Sequence, residues 1–377
     1  MAWDTLLAVV GCGLVAYAWG GYPALLWCAR RLAHRPIRRR PIEPSVSLIL
    51  AVHNEEECIR EKLENCLELN YPPDKLEMVV VSDGSDDATE AIVADFAVRE
   101  PRIRLLRTAG RAGKSGAQNL GVAHARGDIL FFTDARTRVA PGGLKLLVSN
   151  FADAAVGGVI AVIGFGAPQS SIGKGQDFYW RFEYWLRQLE SDLGVLSHGA
   201  GQAMAFRREL FRPLPSYCGD DGILPKDARL QGYRVVQDPR VEASDTLPHT
   251  VEGELRARIR MTARNWVGVR SRSELLNPFR FPGTALAVLS HKVLRWLTPV
   301  FLLVVLAAST SLAGRGQAGV FWLLQLMFYA SALLGWRLAR RGRRALLFGL
   351  PFAFCLANVG FLLGGLKALR GQKIVAY

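Results

Sequence analysis

Two kinds of hydrophobic pattern alternate along the chain. Runs bare of charge lie near its two ends: Leu6 to Ala29, then Thr298 to Ala313, Ala318 to Trp336 and Ala345 to Leu366, the last broken by Pro351. Because roughly 20 apolar residues cross a bilayer as a helix, these predict one N-terminal span within 1–30 and about three C-terminal ones within 293–377. Between them the period changes. Val46 to His53, Met78 to Val81, Ile103 to Leu106, Ile129 to Phe132, Val159 to Ile163 and Tyr233 to Val236 are short apolar runs of strand character. Ile59, Leu63, Cys66 and Leu67 recur at helical spacing behind Asn54, which is placed to cap a helix with Glu57 at the capping-box position, and Asp86 or Asp87 is placed to cap the next. Strands alternating with helices predict an α/β domain over 44–248, with a sheet that is parallel at least at first and helices on its faces. A basic linker at 31–43 precedes it. Amphipathic interfacial helices are expected over 249–292.

Charge then fixes an orientation. Arg30, Arg31, Arg35, Arg38, Arg39 and Arg40 follow the first run, and no basic residue precedes it, so a membrane anchor fits better than a signal peptide. By the positive-inside rule the middle domain faces the cytoplasm. Arg337, Arg340, Arg341, Arg343 and Arg344 put the loop between the third and fourth runs on the same side, whereas Lys367, Arg370 and Lys373 would then fall outside. That conflict leaves one run as a candidate re-entrant or interfacial segment. The net charge of +14 over 377 residues is not a nucleic-acid footprint, because most of the excess flanks the apolar runs, where anionic lipid attracts it. Six cysteines without a CxxC pair imply neither a zinc site nor a disulfide framework. His53, His198 and His249 show no ligand spacing either.

In open α/β sheets, ligands bind beyond the carboxyl ends of the strands. Acidic and basic side chains gather there: Asp83-Gly84-Ser85, Lys114 in the Gly110 to Gly116 loop, Thr133-Asp134-Ala135-Arg136, and Asp220-Asp221 ahead of a helix. Singly, each reads as a turn or a cap. Gly113-Lys114-Ser115 has the ending of a P-loop, but Thr108 stands where its first glycine belongs, which excludes that motif.

Together and in order, these segments resemble the family 2 glycosyltransferases of GT-A (Rossmann-like) fold, in a cellulose synthase-like or poly-N-acetylglucosamine synthase-like membrane form. The likeness covers about Pro44 to Trp266. It rests on Leu50-Ala51-Val52-His53-Asn54-Glu55-Glu56, on Val81-Ser82-Asp83-Gly84-Ser85-Asp86-Asp87, and on Arg111-Ala112-Gly113-Lys114-Ser115-Gly116-Ala117-Gln118-Asn119, similar to an RxGKxxAxN loop. Phe132-Thr133-Asp134-Ala135, Phe206 to Phe211 followed by Asp220-Asp221, Leu230 to Val236, and the His291-Lys292-Val293-Leu294-Arg295-Trp296 run complete it.

The resemblance implies an inverting transfer from a nucleotide-sugar, expected to be a UDP-sugar, to a saccharide or lipid-linked acceptor at the cytoplasmic membrane. One carboxylate suffices as general base, since a diphosphate leaves well once its charge is neutralised. Asp221 takes that role and Asp220 supports it; Ala51, His53, Glu55, Asp83, Lys114, Asn119, Asp134 and Arg136 fall on the donor side. Asp134 is the expected ligand of a divalent cation, Mg2+ or Mn2+. Arg136 departs from the family by occupying the second acidic position of the DxD-like element, and a guanidinium offers a metal no lone pair. Either one carboxylate holds the ion with Arg136 displaced, or Arg136 itself meets the diphosphate. Arg260, Arg264 and Trp266 stand where processive synthases carry QxxRW, without the glutamine, and Trp185 lies in an aromatic cluster from Phe178 to Trp185; these four are the expected acceptor and lid residues. A polymerising synthase and a single-sugar lipid transferase both remain open. The rival from another class is a non-catalytic nucleotide-sugar-binding membrane subunit of a polysaccharide assembly complex.

Overall fold

The computed structural model describes residues 2–165, 171–216, 218–245, 250–341 and 346–372; His249, Arg343, Arg344 and Lys373 lie outside them. The chain opens on one long helix, α1 (Ala2–Ala16) and α2 (Tyr22–Ala33), joined through a π turn at Tyr17–Gly21. The strands are β1 (Val46–Val52), β2 (Leu76–Ser82), β3 (Ile103–Arg107), β4 (Ile129–Thr133), β5 (Arg138–Val139), β6 (Val156–Phe165), β7 (Ala203–Arg207) and β8 (Arg234–Asp245). They form one sheet in the order β3-β2-β1-β4-β7-β6-β8-β5. The first four pair in parallel, β7 runs antiparallel to both β4 and β6, and β8 lies parallel to β6. β1 and β4 are buried along their whole length, as a parallel strand covered on both faces requires.

Helices α3 (Ile59–Leu67), α4 (Thr89–Arg99), α5 (Gly113–Ala123) and α6 (Gly143–Ser149) connect the early strands. Asn54 does not cap α3. It sits at φ 53°, where its side chain accepts from the Asp86 N–H at 3.0 Å and donates to the Asp86 carboxylate, tying the β1 turn to the β2 turn, and the helix begins only after Cys58. Asp87 accepts from the Thr89 N–H at 2.9 Å, at the start of α4.

The described side chains of α7 (Ser171–Asp192) and those of α8 (Asp220–Leu230) cover the distal half of the sheet, and α9 (Val251–Ser271) follows. A last group comprises α10 (Pro282–Ala287), a π turn at Val288–Val293, α11 (Leu294–Ala313), α12 (Gly319–Arg340) and α13 (Leu346–Leu369). Among the described residues, four helices are long and apolar enough to cross a membrane, one N-terminal and three C-terminal: Trp3–Ala33, Pro282–Ala313, Gly319–Arg340 and Leu347–Leu369. The second starts well before the uncharged run that announced it, because His291, Lys292 and Arg295 interrupt the apolar pattern without interrupting the helix. Arg295 is buried, its guanidinium 4.4 Å from the centre of the Trp19 ring.

The apolar helices and the basic linker are tied to the α/β domain. Arg30, near the end of α2, pairs with Asp192 at 2.6 Å, and in the linker Arg39 donates to Asn150 at 2.9 Å and the Arg35 N–H donates to the Asp192 carbonyl at 2.9 Å. Along α9, glycines of α13 meet it closely, so that a Cβ at Gly360 would press on Arg258 and one at Gly364 on Thr262.

Candidate active site

Three loops and two helices converge at the carboxyl ends of the parallel strands. α5 begins at Gly113, whose φ of 74° only glycine adopts easily. Its first turn projects Lys114 toward β4, where the ammonium group donates to Asp134 at 2.6 Å and lies 3.4 Å from Asp220. Burial works against that charge. Asp134 and Asp220 outweigh it and hold Lys114 above its ordinary pKa. One turn further along α5, Gln118 donates to Asp220 at 2.7 Å. Asp220 is thereby held below the usual aspartate range, since Lys114 and Gln118 outweigh the burial that opposes them. Its neighbour Asp221 moves the other way: burial raises it first, and the negative charge of Asp220 adds to that. Two adjacent carboxyls with opposite shifts are the arrangement expected of a fixed anion beside a proton acceptor.

Lys114, Asp134, Asp220, Asp221, Arg260 and Arg264 line one cavity of about 230 Å³. The expected donor-side residues divide. Glu55 pairs with Arg136 at 3.3 Å, which turns that largely exposed guanidinium toward the β1 turn. His53 meets Arg111. Ala51 lies within buried β1.

Asp83 is fully buried. It accepts from the N–H groups of Ala112 at 2.6 Å and Gly113 at 2.9 Å and from the Thr108 hydroxyl at 3.1 Å. In this arrangement it fixes the loop that presents Lys114, and its side chain is closed to solvent. Asn119 points elsewhere, exchanging two 2.8 Å hydrogen bonds with the backbone of Leu214. On the acceptor side Trp266 does not line the cavity: it packs on Trp296 with ring centroids 5.1 Å apart, and Trp296 in turn borders it. Trp185 also lies outside, 43% exposed and tilted against Phe182, while Tyr179 and Trp180 of the same helix face in.

For a divalent cation the fit rests on Asp134. Lys114 occupies one of its oxygens and leaves the other, and Mg2+ and Mn2+ accept one carboxylate completed by phosphate and water. Arg136, engaged by Glu55, leaves that position clear.

The far wall of the cavity was not legible as a site. Glu183, Arg187, His198 and Lys292 line it. Glu183 receives Lys292 at 2.7 Å, Arg295 at 2.8 Å, Arg187 at 2.9 Å and His291 at 3.0 Å. These partners outweigh its burial and hold it well below the carboxylate range. Ligand atoms of Glu183, His198 and His291 come within 4.8 Å of one another, although the sequence shows no such spacing. With Arg187, Lys292 and Arg295 already on Glu183, the cluster is an ion-pair network and a poor home for a metal cation. The available signals were the Glu183–Arg187 spacing of one helical turn and the His291-Lys292 pair in the run before the second span.

The glycosyl transferase family 2 model matches residues 47–214. The beta-monoglucosyldiacylglycerol synthase of Trichormus variabilis is 31% identical over 169 residues, which are 44% of this chain and 36% of that protein. This chain thus spans little more than a third of that relative's length. An N-acetylglucosaminyltransferase of Sinorhizobium fredii is 26% identical over 357 residues, covering 88% of this chain and 82% of the relative. Among solved structures, the mannosyltransferase PcManGT from Pyrobaculum calidifontis, in complex with GDP-Man and Mn2+, superposes with a TM-score of 0.77 at 26% identity over 97% of this chain and 99% of that one.

Proposed function

We propose that this chain, similar over residues 47–214 to the family 2 glycosyltransferases and carrying helices apolar enough to cross a membrane, moves one sugar from a nucleotide-sugar donor to a lipid-borne acceptor at the cytoplasmic membrane face, with inversion. The observation that carries this is the meeting of Lys114, Asp134, Asp220 and Asp221, from three distant segments, on one cavity. Asp221 accepts the proton of the attacking hydroxyl, its raised pKa suiting a base. Attack on the anomeric carbon expels the nucleoside diphosphate from the opposite face. Lys114, Arg260 and Arg264 meet the charge that develops on the leaving group. A divalent cation on Asp134, Mg2+ or Mn2+, would add positive charge at the diphosphate.

Support for a lipid acceptor comes from an apolar groove of about 660 Å³ lined by Trp19, Phe178, Phe182, Phe328 and Phe354, which shares Tyr179 and Arg258 with the catalytic cavity. α13 lies beside α9 and sends Phe361 into the cavity wall, which brings the last apolar helix up to the site.

The test is nucleotide release by the purified chain in nanodiscs, screened over UDP- and GDP-sugars with Mg2+, Mn2+ or EDTA, with and without added lipid acceptors. Donor-specific release and one discrete lipid product support the reading. A ladder of oligomers would reassign the chain to polymer synthesis, and binding without turnover to a non-catalytic subunit.

A further inference from the structure

Behind the catalytic carboxylates, the cavity holds more positive charge than its own anions use. Arg187 and Lys292 share the single carboxylate of Glu183 with buried Arg295. Arg187 keeps its Nη1 buried without a hydrogen-bond partner, and neither ring nitrogen of His198 makes a hydrogen bond, Nε2 lying 3.7 Å from the Glu190 carboxylate. Arg187 is 5% exposed and His198 3%, yet both line the cavity. Buried donors left open cost on the order of 1–3 kcal/mol each, and such groups on a cavity wall await a ligand. His198 sits beside the base, since the Gly199 N–H donates to the Asp221 carbonyl at 3.0 Å. Arg264, Lys114 and Arg187 all act on the charge of Asp221, and Arg187 lines the same cavity. Lys114 already answers to the donor end, through Asp134 and Asp220. Arg187, Lys292 and His198 therefore belong to the other end, from which Tyr179 and Arg258 lead into the apolar groove.

We propose that this wall is an oxyanion subsite: Arg187 and Lys292, with a hydrogen bond from His198, hold a phosphate group carried by the lipid acceptor, whose hydrocarbon chain leaves through the groove past Tyr179. The inference rests on the lipid-acceptor reading above and narrows it to acceptors with a phosphate between chain and hydroxyl. A neutral acceptor would leave the same donors unsatisfied.

Binding to the full chain in nanodiscs tests this with three probes: decyl phosphate, decyl glucoside of the same chain length, and inorganic phosphate. Each is titrated with donor nucleotide present. Decyl phosphate is expected to bind at least about tenfold tighter than decyl glucoside, and Lys292→Met and His198→Leu each to erase most of that difference while nucleotide affinity holds. Arg187→Lys, which keeps the ion pair with Glu183, should fold and retain part of it. Equal affinity for both decyl probes, or a phosphate preference untouched by all three substitutions, overturns the subsite. Inorganic phosphate binding as tightly as decyl phosphate overturns the lipid source. Donor turnover in the same samples separates the two levels: a chain that turns over its donor but ignores the phosphate loses only the subsite, and one without turnover loses the reading beneath it.

Discussion

Whether Arg136 takes any part in neutralising the donor's diphosphate is settled by replacing it with alanine. The guanidinium is 61% exposed and pairs with Glu55, itself 21% exposed at the side chain, at 3.3 Å. A pair so open to water contributes about 0.2–1 kcal/mol, a factor of roughly 1.4 to 5 in any equilibrium that depends on it. Arg136→Ala should therefore change kcat/KM for the donor by no more than about fivefold and leave the dependence on Mg2+ or Mn2+ intact. A guanidinium clamping a transferring or leaving phosphate contributes far more, on the order of 10²–10⁵ in rate. Initial rates of nucleotide release, measured for both proteins across a metal titration and in EDTA, separate these ranges cleanly. A loss of a hundredfold or more in the variant, or an EDTA-resistant rate that disappears with Arg136, would refute the assignment of this residue to the exposed pair.

Other expectations follow from the same geometry. Asp221→Asn should lower kcat by about 10²–10⁴ while nucleotide affinity, read by calorimetry, stays within error. Because the base works ionised and Asp221 is held above the ordinary aspartate value by burial and then by Asp220, the acidic limb of the kcat/KM profile should lie above that value. Removing the neighbouring charge with Asp220→Asn should move that limb to lower pH. Gly127→Ala would push a methyl group into the backbone of Ser47 at the start of β1; overpacking of about 1–3 kcal/mol should appear as a thermal midpoint several degrees lower. With four crossings and the domain in the cytoplasm, Arg370→Cys should react with a membrane-impermeant maleimide in right-side-out vesicles and not in inside-out ones; the reverse would mean that α13 does not cross.

The hydrophobic periods were sufficient for the parallel half of the sheet, because the central residues of β1, β2 and β4, Leu48 to Val52, Met78 to Val81 and Ile129 to Phe132, are buried and read as unbroken apolar runs. β7 was missed. Only its last two residues, Phe206 and Arg207, belong to the block whose likeness drew attention to chemistry, and its antiparallel pairing with β4 and β6 is a long-range fact that no local period encodes. Two-residue β5 carries no period at all. At the site, motif spacing located Lys114, Asp134, Asp220 and Asp221, but it could not say that Asp83 would spend its carboxylate on the Ala112 and Gly113 N–H groups or that Asn119 would face Leu214. Hydrogen-bond partners of buried polar groups are settled in three dimensions.

The charged residues that broke the apolar pattern are the ones that join the two halves of the molecule. His291, Lys292 and Arg295 sit within the helix Pro282–Ala313, and all three meet Glu183 of α7. Tyr22 of the first span donates to Glu190 of α7 at 2.9 Å, and Glu190 also meets His291 at 2.8 Å. Two membrane helices are thus locked onto the helix whose aromatic and basic side chains wall the cavity. Charges inside a bilayer segment are costly unless paired and mark function when retained. Here the pairing partner belongs to the α/β domain, so the network fixes the cavity relative to the apolar helices as well as its wall. Glu183→Gln should therefore do more than lower stability: with three cations released around one neutral amide, it should weaken the coupling of domain to membrane and raise the affinity of the wall for phosphate probes. A purely structural ion pair would show the first effect without the second.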